Sequence, residues 1–512
     1  MPGASQSTRR AAGTVAVLGA LVVGTWARFV VHSPLWLDEA LTVNIAAHPL
    51  GQLREALLQD GHPPLYYWLL HGWMDLFGQG DLAVRSLSAV FGLATLPLVW
   101  LLGRRAGGPL VAWGSLTLVA LSPYAVRYSS ETRMYSLVML LVTAGALLLD
   151  RLLARVAWPA AVGLAFVTGA LLWTHYWGLY LVGVVGLALL AAWRWRPARR
   201  RELQWAIASL VAGGILFLPW VPSLLEQAEH TGTPWAIPAR PTQVLQTTLS
   251  ELGGGSYAEA LLLGTLLAIA GTFVFVGRRG DHTGDTDTAA APGGQLGSTL
   301  RPHVLLVVSI ATLAVGWAVA YVTEGAYAGR YAAVIAPFVL VAVVAGVVRA
   351  PDELRALLAV GLLGLSALAV VHNVGYLRTQ AGDITELLAE QARPDDVIVV
   401  CPDQLGPDLA RSMEQRGLSN EVLVYPDGTD PRTVDWRDYE ERNRDNDPGG
   451  YVQEVLQHTE GTTVWVVWQG GYRTLLNQCE AVVEGLADAR NGTIVARNGP
   501  AFEAASLWRI DG

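Results

Sequence analysis

The chain has few charged residues and no lysine, and its low charge narrows the class of protein. Only 15% of the 512 residues are charged, against about 25% in an ordinary soluble domain, which argues against a soluble globular protein. The 52% hydrophobic content and the mean hydropathy of +0.36 indicate a protein that crosses a membrane several times. Lysine is absent, so all 35 basic residues are arginines. We attribute this to the base composition of the coding DNA and not to function.

Cysteine is also scarce: Cys401 and Cys479 are the two in the chain, and both lie in its polar C-terminal part. They could pair if that part lies outside the cell, but the sequence alone leaves their pairing open. The same part lacks a metal-binding motif, a glycine-rich phosphate loop and a nucleophile elbow. The sequence therefore offers no motif for a nucleotide site or a hydrolase site there.

Eleven apolar segments approach the ~20 residues that a helix needs to cross a bilayer. The first follows Arg9 and Arg10 without a small-residue cleavage site, which indicates an anchor and not a cleaved signal peptide. A shorter apolar segment, residues 65–77, is predicted to lie on the membrane surface as an interfacial helix. The predicted spans are residues 11–31, 86–103, 108–122, 134–150, 156–172, 176–193, 205–222, 257–277, 303–322, 331–348 and 356–374.

The arginines indicate how these spans are oriented. If the N-terminus is cytoplasmic, every strongly basic loop falls on the cytoplasmic side, which is the positive-inside pattern. This predicts a multi-pass plasma-membrane protein whose acidic loops face outward. The basic loops contain Arg104 and Arg105, Arg151 and Arg155, residues 194–201, Arg278 with Arg279 and Arg301, and Arg349 with Arg355.

Two polar regions differ from the spans. Residues 280–302 are rich in Gly, Thr and Asp and are predicted to form a disordered linker. After residue 376 the chain holds 24 of its 43 acidic residues, and short apolar runs alternate with helical patterns. We therefore predict a membrane domain at 1–376 and an extracytoplasmic soluble α/β domain at 377–512, with a partly parallel sheet. Predicted strands are residues 396–401, 421–425 and 463–468; predicted helices include 383–392 and 449–458.

Ionisable side chains converge on the predicted outer face. Arginine binds phosphate in a bidentate manner, and a carboxylate can accept the proton of an attacking hydroxyl group. A lipid-linked phosphosugar attacked by an acceptor hydroxyl suits both groups. The candidates in the outer loops are Asp38, Glu39, His62, Arg85, Arg127, Tyr128, Glu131, Arg133, His175 and Arg330.

Four stretches resemble glycosyltransferase family 39, which includes protein O-mannosyltransferases and the aminoarabinose transferase of lipid A. They are Asp-Glu at 38–39, His-Pro-Pro-Leu-Tyr-Tyr-Trp at 62–68, Phe-Gly…Arg-Ser-Leu-Ser at 77–88 and Ser-Pro-Tyr…Glu-Thr-Arg-Met-Tyr at 122–135. The resemblance implies the GT-C membrane fold, with about 11 transmembrane helices and outer interfacial helices. It also implies transfer of a sugar, with inversion, from a polyprenyl- or dolichyl-phosphate donor to an acceptor hydroxyl on the extracytoplasmic face.

The resemblance further implies roles for particular residues. Asp38 matches the catalytic aspartate, the proposed base, Glu39 matches its acidic neighbour, a structural or helix-capping partner, and Glu131 falls near a second acidic position. His62 stands where the aminoarabinose transferase has a phosphate-binding lysine, so either His62 or an arginine contacts the donor phosphate. The arginine candidates are Arg133, Arg127, Arg85 and Arg330, and the candidates for other substrate contacts are Tyr66, His175 and Tyr128.

Other interpretations stay open at this stage. Asp38 and Glu39 could cap a helix, Arg127 and Arg133 could extend to lipid headgroups, and the C-terminal domain could recognise the acceptor or only stabilise the protein. The competing function is a polytopic transporter or lipid flippase. No cofactor is implied, although some GT-C relatives use a divalent metal ion. The expected partners are the lipid-linked donor, a glycan, lipid or protein acceptor, and membrane lipids, with no nucleic acid.

Overall fold

The computed structural model describes residues 6–232, 240–255, 257–276, 299–323, 325–426 and 430–512, and side chains from residue 13 onward. The predicted linker at 280–302 lies outside the described residues up to position 298. Helices dominate the described part of the chain, and its β-sheet is confined to the C-terminal region.

Sixteen α-helices precede the C-terminal region in the described residues. The first eight are α1 (Gln6–Ala27), α2 (Leu37–Ala47), α3 (Leu53–Asp60), α4 (Leu65–Phe77), α5 (Asp81–Ala120), α6 (Pro123–Ser129), α7 (Tyr135–Ala154) and α8 (Trp158–Leu172). The next eight are α9 (Trp177–Trp195), α10 (Arg200–Phe217), α11 (Val221–His230), α12 (Pro241–Leu252), α13 (Ala258–Thr272), α14 (Pro302–Val322), α15 (Ala336–Arg349) and α16 (Asp352–Gly375).

Each of the eleven predicted apolar segments contains a helix in its described residues. Two of them, 86–103 and 108–122, fall within α5, where non-helical backbone at Gly107 and Gly108 separates two helical segments. These two segments pack against each other, because a Cβ at Gly103 would lie 3.0 Å from Cα of Ala112. Gly108 has a φ of +83°, a conformation that favours glycine. Within the described residues, six helical stretches are long and apolar enough to cross a membrane: Asp81–Ala120, Tyr135–Ala154, Trp177–Trp195, Pro197–His230, Pro302–Val322 and Asp352–Gly375. Shorter apolar helices are Gly13–Ala27, Trp158–Leu172, Ala258–Thr272 and Ala336–Arg349.

Contacts divide the chain into two compact units. Unit one comprises Met1–Val30, Arg85–Val221 and Pro238–Val374. Unit two comprises Val31–Val84, Pro222–Ile237 and Gly375–Gly512. The C-terminal segment of unit two begins within two residues of the predicted boundary. The sequence analysis had assigned residues 31–84 and 222–237 to the membrane domain, and here they group with the C-terminal residues instead.

Unit one is a bundle in which small residues let helices approach closely. Helix α8 packs against α7 and α10, and a side-chain Cβ at Gly213 would collide with Thr168 and with the carbonyl of Ala165. A Cβ at Gly346 in α15 would collide with the carbonyl of Ala270 in α13. Small residues at such crossings permit the close backbone packing typical of membrane helices.

The C-terminal region of unit two is an α/β domain. The elements are α17 (Ala381–Gln391), β1 (Val397–Cys401), α18 (Gly406–Gln415), β2 (Val422–Val424), α19 (Tyr439–Arg444), α20 (Pro448–His458), β3 (Val464–Trp468), α21 (Gln478–Ala489), β4 (Gly492–Ala496) and β5 (Ser506–Ile510). The sheet has the order β2-β1-β3-β5-β4. Strand β1 pairs in parallel with β2 and β3, while β5 is antiparallel to both β3 and β4.

Most predicted elements of this region are confirmed. The three predicted strands correspond to β1, β2 and β3, the two predicted helices to α17 and α20, and the sheet is partly parallel. Strands β4 and β5 were not predicted, because β4 is largely exposed and β5 has no long apolar run. Cys401 and Cys479 form a disulfide bond, which decides the pairing that the sequence left open. Together with the helical bundle, this region confirms the predicted fold class.

In unit two, helix α2 and the residue before it pack directly on the C-terminal domain. Trp36, Leu37 and Leu41 of the α2 region share an apolar cluster with Val434 and Tyr439. The predicted interfacial helix at 65–77 corresponds to α4, with the same bounds. Helix α2 packs against both α4 and α18. The segment that carries the acidic pair is therefore held between α4 and the C-terminal domain.

Candidate active site

Asp38 and Glu39 lie in the first turn of α2, where carboxylates interact favourably with the partial positive charge of a helix N-terminus. Trp36, the residue just before the helix, provides no side-chain cap. Asp38 is partly exposed whereas Glu39 is fully buried. The two adjacent residues therefore occupy different environments: Glu39 is fully buried, whereas Asp38 is half-buried and its Oδ2 atom is shielded from solvent.

Glu39 is ion-paired within unit two. Its Oε2 lies 3.5 Å from Nη1 of Arg378, which is also buried. A buried carboxylate needs such a partner because an isolated charge away from water is costly. This geometry agrees with the structural role that the resemblance implies for Glu39, although Arg378 was not among the predicted residues.

His62 lies just before the proline pair that begins α4. Its Nδ1 is 2.8 Å from Asp60 Oδ2, and the Tyr67 hydroxyl donates to the same oxygen at 2.7 Å. Tyr66 is fully buried and packs edge-to-face on Tyr67. His62 therefore belongs to a local network centred on Asp60, a residue that the sequence analysis did not single out.

Several candidate residues of unit one lie on or beside the short helix α6, which carries Arg127 and Tyr128. Three other helices and a 3₁₀ turn pack around α6 or against one another beside it. They are α7, α9, α12 and Gly329–Val334. Arg127 Nε donates to Glu131 Oε1 at 3.1 Å, and both side chains are largely buried. Burial alone would lower the pKa of the Arg127 guanidinium, but the Glu131 carboxylate raises that pKa above its ordinary value. Arg127 is thus held as a cation.

Glu251 is a further carboxylate in this cluster. The Tyr128 hydroxyl donates to Glu251 Oε2 at 3.0 Å, and a Cβ at Gly329 would collide with the Glu251 side chain. Glu251 lies near the end of α12, outside every predicted span. The sequence analysis did not select it, because a single glutamate in a polar segment cannot be distinguished from an ordinary surface residue.

A chain of aromatic rings links the other predicted residues of unit one. Tyr128 contacts Tyr135, Tyr135 contacts His175, and His175 contacts Tyr331, with ring centroids 5.0, 5.7 and 5.4 Å apart. The backbone N–H of Trp177 donates to His175 Nδ1 at 3.1 Å. His175 is therefore oriented by its own turn and placed among tyrosine rings.

The remaining arginines are attached to the same bundle. The backbone carbonyl of Arg330 accepts a hydrogen bond from the Tyr124 hydroxyl at 2.9 Å, which ties this arginine to α6. The carbonyl of Arg133 accepts a hydrogen bond from Ser88 Oγ at 3.0 Å. Ser88 lies one turn beyond Arg85 on α5, and Arg85 and Arg133 are both buried.

The predicted site residues thus fall into two sets. Unit two holds Asp38, Glu39, His62 and Tyr66, and unit one holds Arg85, Arg127, Tyr128, Glu131, Arg133, His175 and Arg330. Unit one gathers cations and tyrosines suited to an anionic group, and unit two holds a carboxylate suited to general-base chemistry. Among the residues that the structure describes, no group of three or more His, Cys, Asp or Glu side chains is arranged to hold a metal ion.

One part of the chain matches a known protein family. Residues 61–224 match a family model described as dolichyl-phosphate-mannose-protein mannosyltransferase. No curated protein sequence matches the chain.

Several solved structures share its fold. ArnT from Cupriavidus metallidurans in the apo state aligns with a TM-score of 0.57 at 14% identity, covering 98% of each chain. The same protein bound to undecaprenyl phosphate gives 0.55 at 14% identity, covering 97% of each chain. The Archaeoglobus fulgidus oligosaccharyltransferase tethered to an acceptor peptide gives 0.51 at 11% identity, covering 94% of this chain and 72% of that one. The chain therefore has the fold of these solved structures, which is the GT-C fold that the resemblance implies, and the match at residues 61–224 confirms the predicted resemblance over that part of the chain.

Proposed function

We propose that this protein is an inverting membrane glycosyltransferase that moves a sugar from a polyprenyl- or dolichyl-phosphate donor to an acceptor hydroxyl on the extracytoplasmic face. The observation that carries the proposal is the partly exposed Asp38 in the first turn of α2, beside a buried and ion-paired Glu39. This acidic pair occurs in a chain with the fold of ArnT, which has been solved with bound undecaprenyl phosphate.

In the proposed reaction, Asp38 accepts the proton of the acceptor hydroxyl. The hydroxyl oxygen attacks the anomeric carbon as the bond from that carbon to the phosphate oxygen breaks, and the configuration inverts. The lipid phosphate leaves with the bonding electrons. Arg127, Arg133, Arg85 and Arg330 are the candidates to hold this phosphate, because guanidinium groups match its geometry and stabilise the charge on the leaving group.

The orientation is supported by two independent features. The strongly basic loops alternate with the loops that carry Asp38 and Glu131, as the positive-inside rule requires for outward-facing carboxylates. The Cys401–Cys479 disulfide lies in the C-terminal domain, and disulfides persist mainly in oxidising, extracytoplasmic compartments. Both features support an acceptor site outside the cytoplasm.

The direct test is release of the lipid phosphate. The purified chain, in lipid nanodiscs, is incubated with undecaprenyl- and dolichyl-phosphate mannose and with undecaprenyl-phosphate aminoarabinose, together with peptide, glycan and lipid acceptors. We expect free polyprenyl phosphate from at least one donor, and Asp38→Asn should slow its release by about 10²–10⁴-fold, the usual contribution of a general base.

The matched control is Asp75→Asn, at an exposed aspartate of α4 in the same unit, which should leave turnover unchanged. Full turnover by Asp38→Asn would remove Asp38 from the mechanism. No turnover with any donor, together with no change of melting temperature on adding undecaprenyl phosphate, would favour the transporter or flippase instead.

A further inference from the structure

The first turn of α2 is capped from the other end of the chain. The backbone N–H of Leu37, the first residue of the helix, donates to Glu503 Oε2 at 2.9 Å. The N-cap residue Trp36 provides no side-chain acceptor, and the first N–H groups of a helix have no partner inside the helix. The carboxylate of Glu503 therefore gives the first amide of the helix an acceptor that the N-cap residue does not supply.

A second contact joins the same turn to the start of the C-terminal segment. Arg378 Nη1 lies 3.5 Å from Glu39 Oε2, and both side chains are buried. The backbone N–H of Arg378 donates to Ser33 Oγ at 2.9 Å. Arg378 therefore holds the chain both just before α2 and within its first turn.

The two contacts come from one small piece of structure. Glu503 N–H donates to the carbonyl of Arg378 at 2.9 Å, and Gln380 N–H donates to the carbonyl of Glu503 at 3.1 Å. Thr379 and Glu503 form a parallel β-bridge. Arg378 and Glu503 thus project from paired backbones, and we call these two residues and their bridge the C-terminal clamp.

Asp38 lies between the two residues that the C-terminal clamp contacts. Leu37 precedes it and is held through its backbone N–H, and Glu39 follows it and is held through its side chain. The Glu503 carboxyl is buried, and this burial is the largest cause of its raised pKa. The negative charges of Asp408, Asp38 and Glu39 raise the pKa of Glu503 further, whereas the hydrogen bond from the Leu37 N–H lowers it. The clamp and Asp38 are therefore close enough to interact electrostatically.

We propose that Arg378 and Glu503 are positioning residues for Asp38, so that the C-terminal domain completes the active site by fixing the first turn of the helix that carries the base. This inference rests on the proposed function, since it assigns Asp38 the role of base. It makes the C-terminal domain part of the catalytic apparatus and not only a stabilising or acceptor-binding module.

The physical reason is the precision that general-base catalysis needs. A displacement of about 1 Å from the productive geometry can cost about 10²-fold in rate. A helix N-terminus without a cap frays, and a buried carboxylate that loses its cation is driven to rearrange. Either change would move the Asp38 carboxylate.

The test compares Arg378→Met, Arg378→Lys and Glu503→Ala in the lipid-phosphate release assay. We expect Arg378→Met to lower kcat by about 10²-fold with little change in KM for the lipid-linked donor, whose phosphate is assigned to unit one. Arg378→Lys keeps the positive charge and should retain most of the wild-type kcat. Glu503→Ala should also lower kcat. Arg411→Gln is the control, because Arg411 pairs with Asp81 at 2.9 Å in the same unit without touching the first turn of α2.

A second readout does not depend on turnover. Hydrogen–deuterium exchange of the α2 amides should quicken in Arg378→Met and Glu503→Ala and stay unchanged in Arg411→Gln. If the wild-type protein releases no lipid phosphate from any donor, the proposed function fails and the positioning role fails with it. If the wild type is active and the clamp variants keep its kcat, or change KM alone, the positioning inference is wrong while the proposed function stands.

Discussion

The Tyr128 hydroxyl donates to the Glu251 carboxylate at 3.0 Å and so joins α6 to α12 inside unit one. Replacing Glu251 with Ala leaves a buried hydroxyl without this acceptor, so we expect a loss of about 1–3 kcal/mol in the free energy of unfolding. Glu251→Gln keeps an acceptor oxygen and should cost less. Thermal unfolding in nanodiscs measures both.

Tyr128→Phe provides the matched control for this contact. In the Tyr128→Phe background, Glu251→Ala should cost less than in the wild type, because no hydroxyl is then left unpaired. Equal costs in the two backgrounds would show that the Tyr128–Glu251 hydrogen bond contributes nothing to stability.

The Arg127–Glu131 ion pair is buried, so removing one partner should cost more than removing both. Glu131→Gln leaves a buried guanidinium without its carboxylate, and we expect a loss of about 3–5 kcal/mol. Arg127→Met with Glu131→Gln should be less destabilised than Glu131→Gln alone. Thermal unfolding of Glu131→Gln, Arg127→Met and the double variant gives the double-mutant cycle, and additive losses would contradict the coupling.

Asp408 predicts a pH dependence of stability in unit two. Burial raises the pKa of this carboxyl to about 7, against the lowering effect of hydrogen bonds from Thr379 and Leu409. The folded state therefore binds the proton more tightly than the unfolded state, whose pKa is near 4. The resulting stabilisation is complete below about pH 4 and is lost as the pH rises towards about 7. Glu503 changes stability in the same direction, because burial also raises its pKa.

The measurement is the free energy of unfolding of the wild type and of Asp408→Asn between pH 4 and pH 7. We expect the wild type to lose stability relative to the variant as the pH rises, because Asn does not titrate. A relative gain over this range would mean that Asp408 is ionised in the folded protein.

The disulfide between Cys401 and Cys479 closes a long loop, since the two residues are 78 positions apart in the sequence. Closing such a loop restricts the unfolded chain, and we expect its reduction to lower the stability of the C-terminal region by about 2–5 kcal/mol. Chemical unfolding with and without reductant measures the loss. The double variant Cys401→Ala/Cys479→Ala should be insensitive to reductant, and equal sensitivity would assign the effect to another cause.

Local sequence patterns predicted much of the fold. A transmembrane helix forms its backbone hydrogen bonds within itself, so a long apolar run specifies a helix without reference to distant residues. This is why each of the eleven apolar segments contains a helix in its described residues, and why α4 has the predicted bounds. The buried strands β1 and β3 were predicted for a similar reason, because their apolar runs are continuous. Strand β4 pairs through its backbone while its side chains are largely exposed, so its composition carried no comparable signal.

The candidate site was predicted less completely. Asp38 and Glu39 stood out because adjacent carboxylates at the end of an apolar span are energetically costly next to lipid. Their presence there therefore indicates a role. Nothing in the sequence paired Glu39 with Arg378, 339 positions away, or Leu37 with Glu503, 466 positions away. Such pairs depend on the bridge between Thr379 and Glu503, which no local pattern predicts.

The sequence by itself determined where the helices lie, the charge asymmetry of the loops, and the acidic pair at the start of α2, since each depends on the chemistry of neighbouring residues. Only the tertiary structure decided which side chains meet. Ion pairs and caps between distant segments arise when the backbone brings them together, and that approach is set by packing across the whole unit.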